Sequence, residues 1–310
     1  MTESALTTKQ QIASLWDLGG LSWGELARRT WGGINQNGLI DRAYELAFNF
    51  LLAVFPFLLF LLPLLGLFAS HGGTLRRDLF LYVQQVLPPE AYRLVITTLH
   101  GVVQNAGGGK LTFGFLFSLF AGSAGITQAM ATLNAAYEVH EGRSWIKVHL
   151  ISLGLTVAMS VLMIVALLLV LAGGALIGLL QQSTSHSTAT FVIGKILQWG
   201  FALGSVVSAF AVIYYYAPDV KERHWYWITP GSVVGVVLWA IVSVGLRVYL
   251  YYFNTYSRIY GSLGAVIILL LWFYVTGLAF LVGGQINSTI EHAAAEHGHP
   301  EAKPAGRKVA

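Results

Sequence analysis

The chain has 310 residues, of which 55% are hydrophobic and only 10% are charged. Soluble domains carry roughly 25% charged residues, so this composition excludes an ordinary water-soluble protein. The apolar residues lie in long uncharged blocks such as 150–180 and 259–290, and blocks beyond about 18 residues indicate membrane-spanning helices. The absence of cysteine excludes disulfide scaffolds, zinc ribbons and cysteine nucleophiles.

The formal net charge is +4, but the 18 Lys and Arg residues are scattered at the ends of the apolar blocks. They form neither a dense run nor a striped helix face, so the sequence predicts no nucleic-acid partner. We expect these cations to orient the chain in the membrane and to contact anionic lipid headgroups.

Residues 1–40 form a predicted amphipathic segment on the cytoplasmic side. Ser22 and Glu25 have the spacing of a capping box, which begins a helix. The helix is expected to lie among the headgroups, with Trp23 and Trp31 at the interface. This segment contains no apolar signal-peptide core, so the first span is expected to direct insertion.

The sequence predicts an all-α membrane domain over residues 41–291, a bundle of six transmembrane helices with additional amphipathic interfacial helices. The predicted spans lie at about 42–68, 111–137, 149–180, 191–217, 225–251 and 259–290. Residues 69–110 are not apolar enough to cross and read as two short amphipathic helices broken at Pro88-Pro89. Residues 292–310 are predicted to be a disordered cytoplasmic tail.

The first span contains Pro56 and Pro63, which predict a kinked helix because proline frees a backbone carbonyl. Three pairs of glycines have GxxxG spacing inside spans, and at least one pair is expected to form a close packing face. These pairs are Gly174/Gly178, Gly200/Gly204 and Gly231/Gly235.

Six spans place both termini on the same side of the membrane. Eleven of the 18 Lys and Arg residues fall on that side, against seven on the other side and at span ends. The positive-inside rule therefore predicts cytoplasmic termini.

The inventory of catalytic residues is thin. Most of the 14 Asp and Glu residues lie in tails and loops, and no HExxH, P-loop or GxSxG motif occurs. His292, His297 and His299 cluster near the end of the chain, where a solvated tail is favoured over a metal site. The sequence predicts no enzyme, no catalytic or metal-binding residue and no cofactor.

Polar residues inside the spans are candidates for a substrate pathway. Arg247 near the end of the fifth span either snorkels to the headgroups or faces a substrate or anion. Gln128, Asn134, Gln285 and Asn287 either hydrogen-bond across helices or line a ligand path. Asp41-Arg42 either clamps the start of the first span or guards an entrance.

The carboxy-terminal half contains the segments YYYAPD at 214–219, Pro230-Gly231, YGSLGA at 260–265 and GGQIN at 283–287. These segments resemble the YihY/BrkB family of bacterial inner-membrane proteins. The resemblance, over about residues 20–291, implies six spans, cytoplasmic termini and the bacterial cytoplasmic membrane. Members were once labelled ribonuclease BN, a name regarded as a misassignment, and others are linked to serum resistance or lipid traffic. Many members carry a glutamate where this chain has Gln285.

The preferred hypothesis is a transporter or flippase-like protein for a lipid-linked or amphipathic substrate, with membrane lipids as partners. The alternative is a non-transporting scaffold or lipid-binding protein, whereas a ribonuclease is disfavoured because RNA hydrolysis needs positioned acid–base groups or metals. The predicted pathway residues are Arg247, Gln128, Asn134, Tyr260, Ser262, Gln285 and Asn287.

Overall fold

The computed structural model describes residues 17–69, 109–183, 188–220, 229–252 and 262–297. Within these residues the chain forms α-helices and no strand, which confirms the all-α class. A 3-10 turn at Leu18–Gly20 precedes the first helix. The helices are α1 (Trp23–Gln36), α2 (Leu39–Ala69), α3 (Gly109–Gly122), α4 (Ala124–Ala136), α5 (Trp145–Ser183), α6 (Thr188–Tyr216), α7 (Pro230–Tyr252) and α8 (Ser262–Glu296).

Six helical segments in the described residues are long and apolar enough to cross a membrane, as predicted. They are Leu39–Leu61, Gly114–Ala136, Trp145–Leu169, Val192–Tyr216, Pro230–Tyr252 and Val266–Glu296. The 39 residues of α5 measure roughly 58 Å at about 1.5 Å per residue. Because a hydrocarbon core is about 30 Å thick, α5 tilts or extends beyond the core.

The second span consists of two helices, α3 and α4, rather than one. The break falls at Ser123, whose hydroxyl donates to the carbonyl of Phe120 at 2.7 Å. Gly122 lies directly against the backbone of Phe57, where a Cβ would come within 3.0 Å of the Phe57 Cα. The helix ends here because the small residue Gly122 is followed by Ser123, whose hydroxyl binds the preceding turn.

The last helix extends past the predicted domain boundary at residue 291. It ends at Glu296, and His292 is only 8% exposed. The helix continues because Ala293 and Ala294 pack against Gly19, whose positive φ of 61° brings the backbone close. The remainder of the predicted tail, from 298, and residues 70–108 of the predicted amphipathic segment lie outside the described residues.

Helix α2 runs without a break through Pro56 and Pro63. Membrane helices tolerate proline where neighbouring groups satisfy the freed backbone. A bend at either proline remains a prediction.

Contacts divide the chain into two compact units. One comprises residues 1–52, 125–152 and 210–310, and the other comprises 53–124 and 153–209. The first unit contains the predicted pathway residues, and its described part has the carboxy-terminal half of α8 at its centre, where residues from Ala279 to Ala294 are mostly buried.

The amino-terminal segment packs across this half of α8. Leu18 and Leu26 form a buried cluster with Ile286 and Ile290, and each such side chain contributes about 1.5–3 kcal/mol by leaving water. Helix α1 begins where predicted, because the Ser22 hydroxyl accepts from the backbone N–H of Glu25 at 3.3 Å. The Glu25 carboxylate binds arginines on α1 instead of completing the capping box.

Glycines hold α7 close to α8. Gly231 lies against the carbonyl of Gly283 and the side chain of Asn287, and Gly235 lies near the carbonyl of Ala279. The predicted packing face is therefore confirmed for Gly231/Gly235. A Cβ at Gly200 or Gly204 would meet no atom of the described residues within 4 Å, and the surroundings of Gly174/Gly178 lie outside the description.

Candidate functional site

A carboxylate lies inside the first span. Glu45 is the seventh residue of α2, roughly 9 Å from the start of the helix at about 1.5 Å per residue. Its side chain is exposed, and its Oε2 accepts a hydrogen bond from the amide of Gln128 on α4 at 3.3 Å. A hydrogen bond to an ionisable carboxylate therefore joins the first span to the second.

Other polar and aromatic groups surround this pair. Asp41 lies one turn before Glu45 and is exposed. The ring of Tyr44 stacks on that of Tyr274 from α8, with centroids 4.3 Å apart and an angle of 11° between the planes. We call Asp41, Tyr44, Glu45, Gln128 and Tyr274 the first-span polar face.

The same side of α2 becomes apolar further along the helix. Phe48 and Leu52 are 56% and 59% exposed, and their positions three and seven residues after Glu45 place them on its face. A carboxylate directed at hydrocarbon is costly, so such groups normally face water, a partner or a substrate. This side of α2 thus offers a charged end followed by an apolar stripe.

A second polar cluster joins two loops of the first unit. Arg143 has a side chain only 2% exposed and pairs with Glu141 at 2.6 Å and with Asp219 at 3.5 Å. Its Nη2 also donates to the carbonyl of Ala217 at 2.8 Å. The Asn134 side chain donates to Glu141 at 2.9 Å and accepts from the backbone N–H of Asp219 at 2.8 Å. We call Asn134, Glu141, Arg143 and Asp219 the loop clasp.

Two opposing effects set the ionisation of Glu141 in the loop clasp. Burial alone raises the pKa of this carboxyl, but hydrogen bonds from Arg143 and Asn134 favour the charged form and leave the pKa below 4.5. Glu141 is therefore a stable anion that holds Arg143 in place.

Asn287 begins α7 from across the bundle. Its side-chain oxygen accepts from the backbone N–H of Gly231 at 2.9 Å, and its amide donates to the hydroxyl of Thr229 at 3.0 Å. The side chains of Asn287 and Tyr137 also share a hydrogen bond. These bonds satisfy an early N–H of α7, so the contacts favour helix capping as the role of Asn287.

Gln285 and Arg42 both bind the turn that joins α1 to α2. The Gln285 side chain packs on Gly33, and its oxygen accepts from the Asn37 amide at 3.1 Å. The Arg42 Nε donates to the carbonyl of Asn37, also at 3.1 Å. Of the two roles considered for Arg42, these contacts favour a clamp on the start of the first span.

Arg247 lies on the exposed side of α7 among apolar neighbours. Val244 and Val248 are 61% and 49% exposed, and Tyr251 follows one turn after Arg247. This setting favours snorkelling of the guanidinium along the helix. Ser262 is the first residue of α8, but its side chain and the whole of Tyr260 lie outside the described residues.

A family model described as virulence factor BrkB matches residues 30–307, about nine-tenths of the chain. The chain belongs to the BrkB family. The predicted YihY/BrkB resemblance is therefore confirmed, and the protein is an integral membrane protein of this family. No solved structure matches the chain.

Relatives of this BrkB-family protein carry two kinds of name. The ribonuclease-like protein YfkH of Bacillus subtilis (strain 168) is 34% identical over 250 residues, which cover 81% of this chain and 89% of YfkH. A UPF0761 membrane protein of Xanthomonas oryzae pv. oryzae (strain PXO99A) is 42% identical over 81 residues, 26% of this chain. That match spans only 18% of the Xanthomonas protein.

The structure places several of the predicted residues of this BrkB-family protein in two different settings. The pathway candidate Gln128 and the entrance candidate Asp41 both belong to the first-span polar face. The structure places Asn134, Gln285 and Asn287 in hydrogen bonds between helices or loops. Whether any of them contacts a substrate remains a prediction. Within the described ranges, no group of three or more His, Asp or Glu side chains could hold a metal ion.

Sequence reasoning overlooked two residues. Glu45 could have been found, since it lies inside the predicted span 42–68 and four residues after Asp41, on the same helix face. Arg143 has one partner, Glu141, two residues before it in the sequence, but its other partner, Asp219, is far along the chain and only the fold brings them together.

Proposed function

We propose that this BrkB-family protein is a transporter or flippase-like protein that moves a lipid-linked or amphipathic substrate. The strongest support for this proposal is the position of Glu45. Its carboxylate is exposed inside the first span and accepts a hydrogen bond from Gln128 of the second span. The proposal makes the first-span polar face part of the substrate pathway.

The energetic cost of a charge inside a span favours transport. A carboxylate inside a span is costly where it meets lipid, and in membrane proteins such residues commonly mark substrate or ion pathways. A scaffold needs only packing faces and gains nothing from an exposed acid at this depth. The polar face therefore favours transport over the non-transporting alternative.

The arrangement along α2 favours an amphipathic substrate. Asp41 and Glu45 are followed on the same helix face by exposed Phe48 and Leu52. A molecule with a polar head and an apolar tail could contact both parts at once, whereas a small ion would have no use for the apolar stripe. The acids favour a head that carries amine, ammonium or hydroxyl groups.

We also propose that the protein lies in the bacterial inner membrane with both termini in the cytoplasm. Arg29 in the middle of α1 pairs with Glu296 at the end of α8 at 2.7 Å, so α1 lies beside the end of α8. The excess of Lys and Arg on that side supports a cytoplasmic location.

The proposal assigns no hydrolytic step and no cofactor to the protein. The ribonuclease-like name belongs to YfkH. In the described ranges, the buried polar side chains at the loop clasp and at Asn287 form ties between helices and loops. These contacts support a structural assignment for them rather than one in acid–base chemistry.

Transport is tested in proteoliposomes of phosphatidylethanolamine and phosphatidylglycerol that contain fluorescent headgroup-labelled lipid analogues. The wild-type protein is expected to move at least one analogue between leaflets faster than protein-free vesicles do. Glu45→Gln should bring the rate close to the protein-free background, because the amide keeps the shape of the side chain and removes its charge.

Asp17→Asn is the matched control, since Asp17 is exposed, lies outside the spans and makes no side-chain cap hydrogen bond. It should transport at the wild-type rate. Equal rates for wild type and Glu45→Gln would overturn the assignment of the pathway. Wild-type vesicles that behave like protein-free vesicles with every analogue would instead favour the scaffold.

A further inference from the structure

Helix α1 has one face that is buried against the protein and one face that is exposed. Its buried residues Leu26 and Ile34 are 4% and 6% exposed and face the first unit. Beside this buried face, Trp23, Ala27 and Trp31 are exposed, the two tryptophans at 69% and 63%. Their spacing of four residues stacks them along one stripe of the helix. The open stripe therefore presents two large aromatic rings to its surroundings.

The connection to the first span sets the level of this stripe. Only the turn Asn37-Gly38 separates the end of α1 from Leu39, where the first span begins. Gly38 has a positive φ of 59°, and Arg42 donates to the carbonyl of Asn37. A turn this short keeps α1 near the plane in which α2 enters the lipid.

Another exposed tryptophan occurs at the corresponding end of a different span. Trp145 begins α5 and the third span, and it is 67% exposed. The loop clasp and the contacts of Gln285 and Asn287 join several span ends on one side of the first unit. The first, third and fifth spans begin on that side, and the second, fourth and sixth spans end there. Tryptophan is enriched at membrane–water interfaces, where its ring is partly buried and its N–H remains hydrated.

The charged residues of α1 are bound to one another. Glu25 accepts from Arg28 at 2.7 Å and from Arg29 at 2.8 Å, and Arg29 also pairs with Glu296 at 2.7 Å. Hydrogen bonds from Arg28 and Arg29 lower the pKa of Glu25 to about 2, so this acid stays ionised at neutral pH. Two cations and two anions therefore balance, whereas many membrane-surface helices present uncompensated Lys and Arg to anionic lipid.

We infer that the stripe of Trp23, Ala27 and Trp31 is a membrane-docking surface that enters the phospholipid headgroup layer through its tryptophans rather than through charge. Its occupant is the phospholipid leaflet itself, zwitterionic or anionic. Because the adjoining face of α1 packs on α8, docking also ties the end of the last helix to the membrane surface. This inference does not depend on transport.

The experiment uses the absence of native cysteine. In the full chain, Ala27→Cys allows a nitroxide spin label to be attached on the stripe. Gln36→Cys allows the label to be attached at an exposed position that is rotated around the helix axis from Trp31 by more than a quarter of a turn. Both variants are reconstituted in vesicles of phosphatidylcholine alone. The relative accessibility of each label to oxygen and to a water-soluble nickel chelate reports its depth.

The label at position 27 should be accessible to oxygen and protected from nickel, and the label at position 36 should show the reverse. Adding phosphatidylglycerol or raising salt should leave the depth at position 27 unchanged. Equal, water-like accessibility at both positions would overturn docking. A depth at position 27 that required phosphatidylglycerol and disappeared in high salt would overturn the role of the tryptophans.

A second variant tests the tryptophans directly. Trp23→Ser combined with Trp31→Ser, in the Ala27→Cys chain, should move the label toward water. Thermal unfolding in detergent should be nearly unchanged, because both rings are exposed and the buried face of α1 is intact. A label that stayed at its lipid depth in this variant would contradict the inference.

Discussion

The first-span polar face and the loop clasp are built from the same chemistry and use it in opposite ways. Each contains two carboxylates and a side-chain amide. In the loop clasp, Arg143 and Asn134 engage both acids, and backbone groups take the remaining hydrogen bonds. On the polar face, Glu45 is exposed and its described side-chain hydrogen bond comes from a neutral amide.

This difference separates structural from functional polarity in a membrane protein. A buried polar group whose partners are all present rigidifies its surroundings. An exposed acid inside a span costs free energy and does not rigidify its surroundings, so a function is the better explanation for it. The presence of a polar residue in a span is therefore less informative than what that residue contacts.

The largest expected effect comes from removing the cation of the loop clasp. Arg143→Met leaves Glu141 and Asp219 without their cation and should destabilise the protein by about 3 kcal/mol, as for a broken buried ion pair. The loss should appear as a lower thermal unfolding temperature in detergent. Arg28→Met is the control, since Arg28 is 77% exposed and a surface pair contributes about 0–1 kcal/mol. Equal unfolding temperatures for the two variants would mean that Arg143 stabilises the protein no more than an exposed arginine does.

A somewhat smaller effect is expected where α7 meets α8. Gly231→Ala would press a methyl group against the backbone of Gly283 and the side chain of Asn287, and such overpacking costs about 1–3 kcal/mol. Gly245→Ala is the matched control, because in the described part of the chain a Cβ there meets no atom within 4 Å. The same unfolding assay compares them, and a harmless Gly231→Ala would refute the close contact.

The smallest expected effect is a dependence of stability on acid pH. Because the folded state lowers the pKa of Glu141 below 4.5, its contribution is complete above that pH. The contribution is then lost as the pH falls through the folded value. Unfolding temperatures measured from pH 6 to pH 3 should therefore decline less steeply for Glu141→Gln than for wild type. Parallel curves would mean that Glu141 is not held by Arg143.

Hydropathy was sufficient to predict the six spans, because the bilayer imposes length and apolarity on each span separately. The start of α1 was also predictable, since Ser22 and Glu25 are near neighbours in sequence. The break at Ser123 and the extension of α8 to Glu296 were not, because each depends on packing. Ala293 and Ala294 remain helical through contact with Gly19, which is distant in sequence.

The candidate site was only partly predictable for the same reason. Gln128 and Asp41 were selected as polar residues in or near spans, but nothing in the sequence indicated that Gln128 would bind Glu45. Asn134, Gln285 and Asn287 looked equally suitable until their partners were known. Pairings between residues far apart in the chain, such as Arg143 with Asp219, come only from the fold.

The most direct test of the account asks whether water reaches Glu45 within the first span. Glu45→Cys and Leu150→Cys introduce single thiols about 9 Å and 7.5 Å from the starts of α2 and α5, at about 1.5 Å per residue, and Leu150 is 63% exposed. Membranes containing each variant are treated with a charged, membrane-impermeant thiol reagent. We expect rapid modification at position 45 and little at position 150. An unreactive position 45, or equal reaction at both positions, would contradict it.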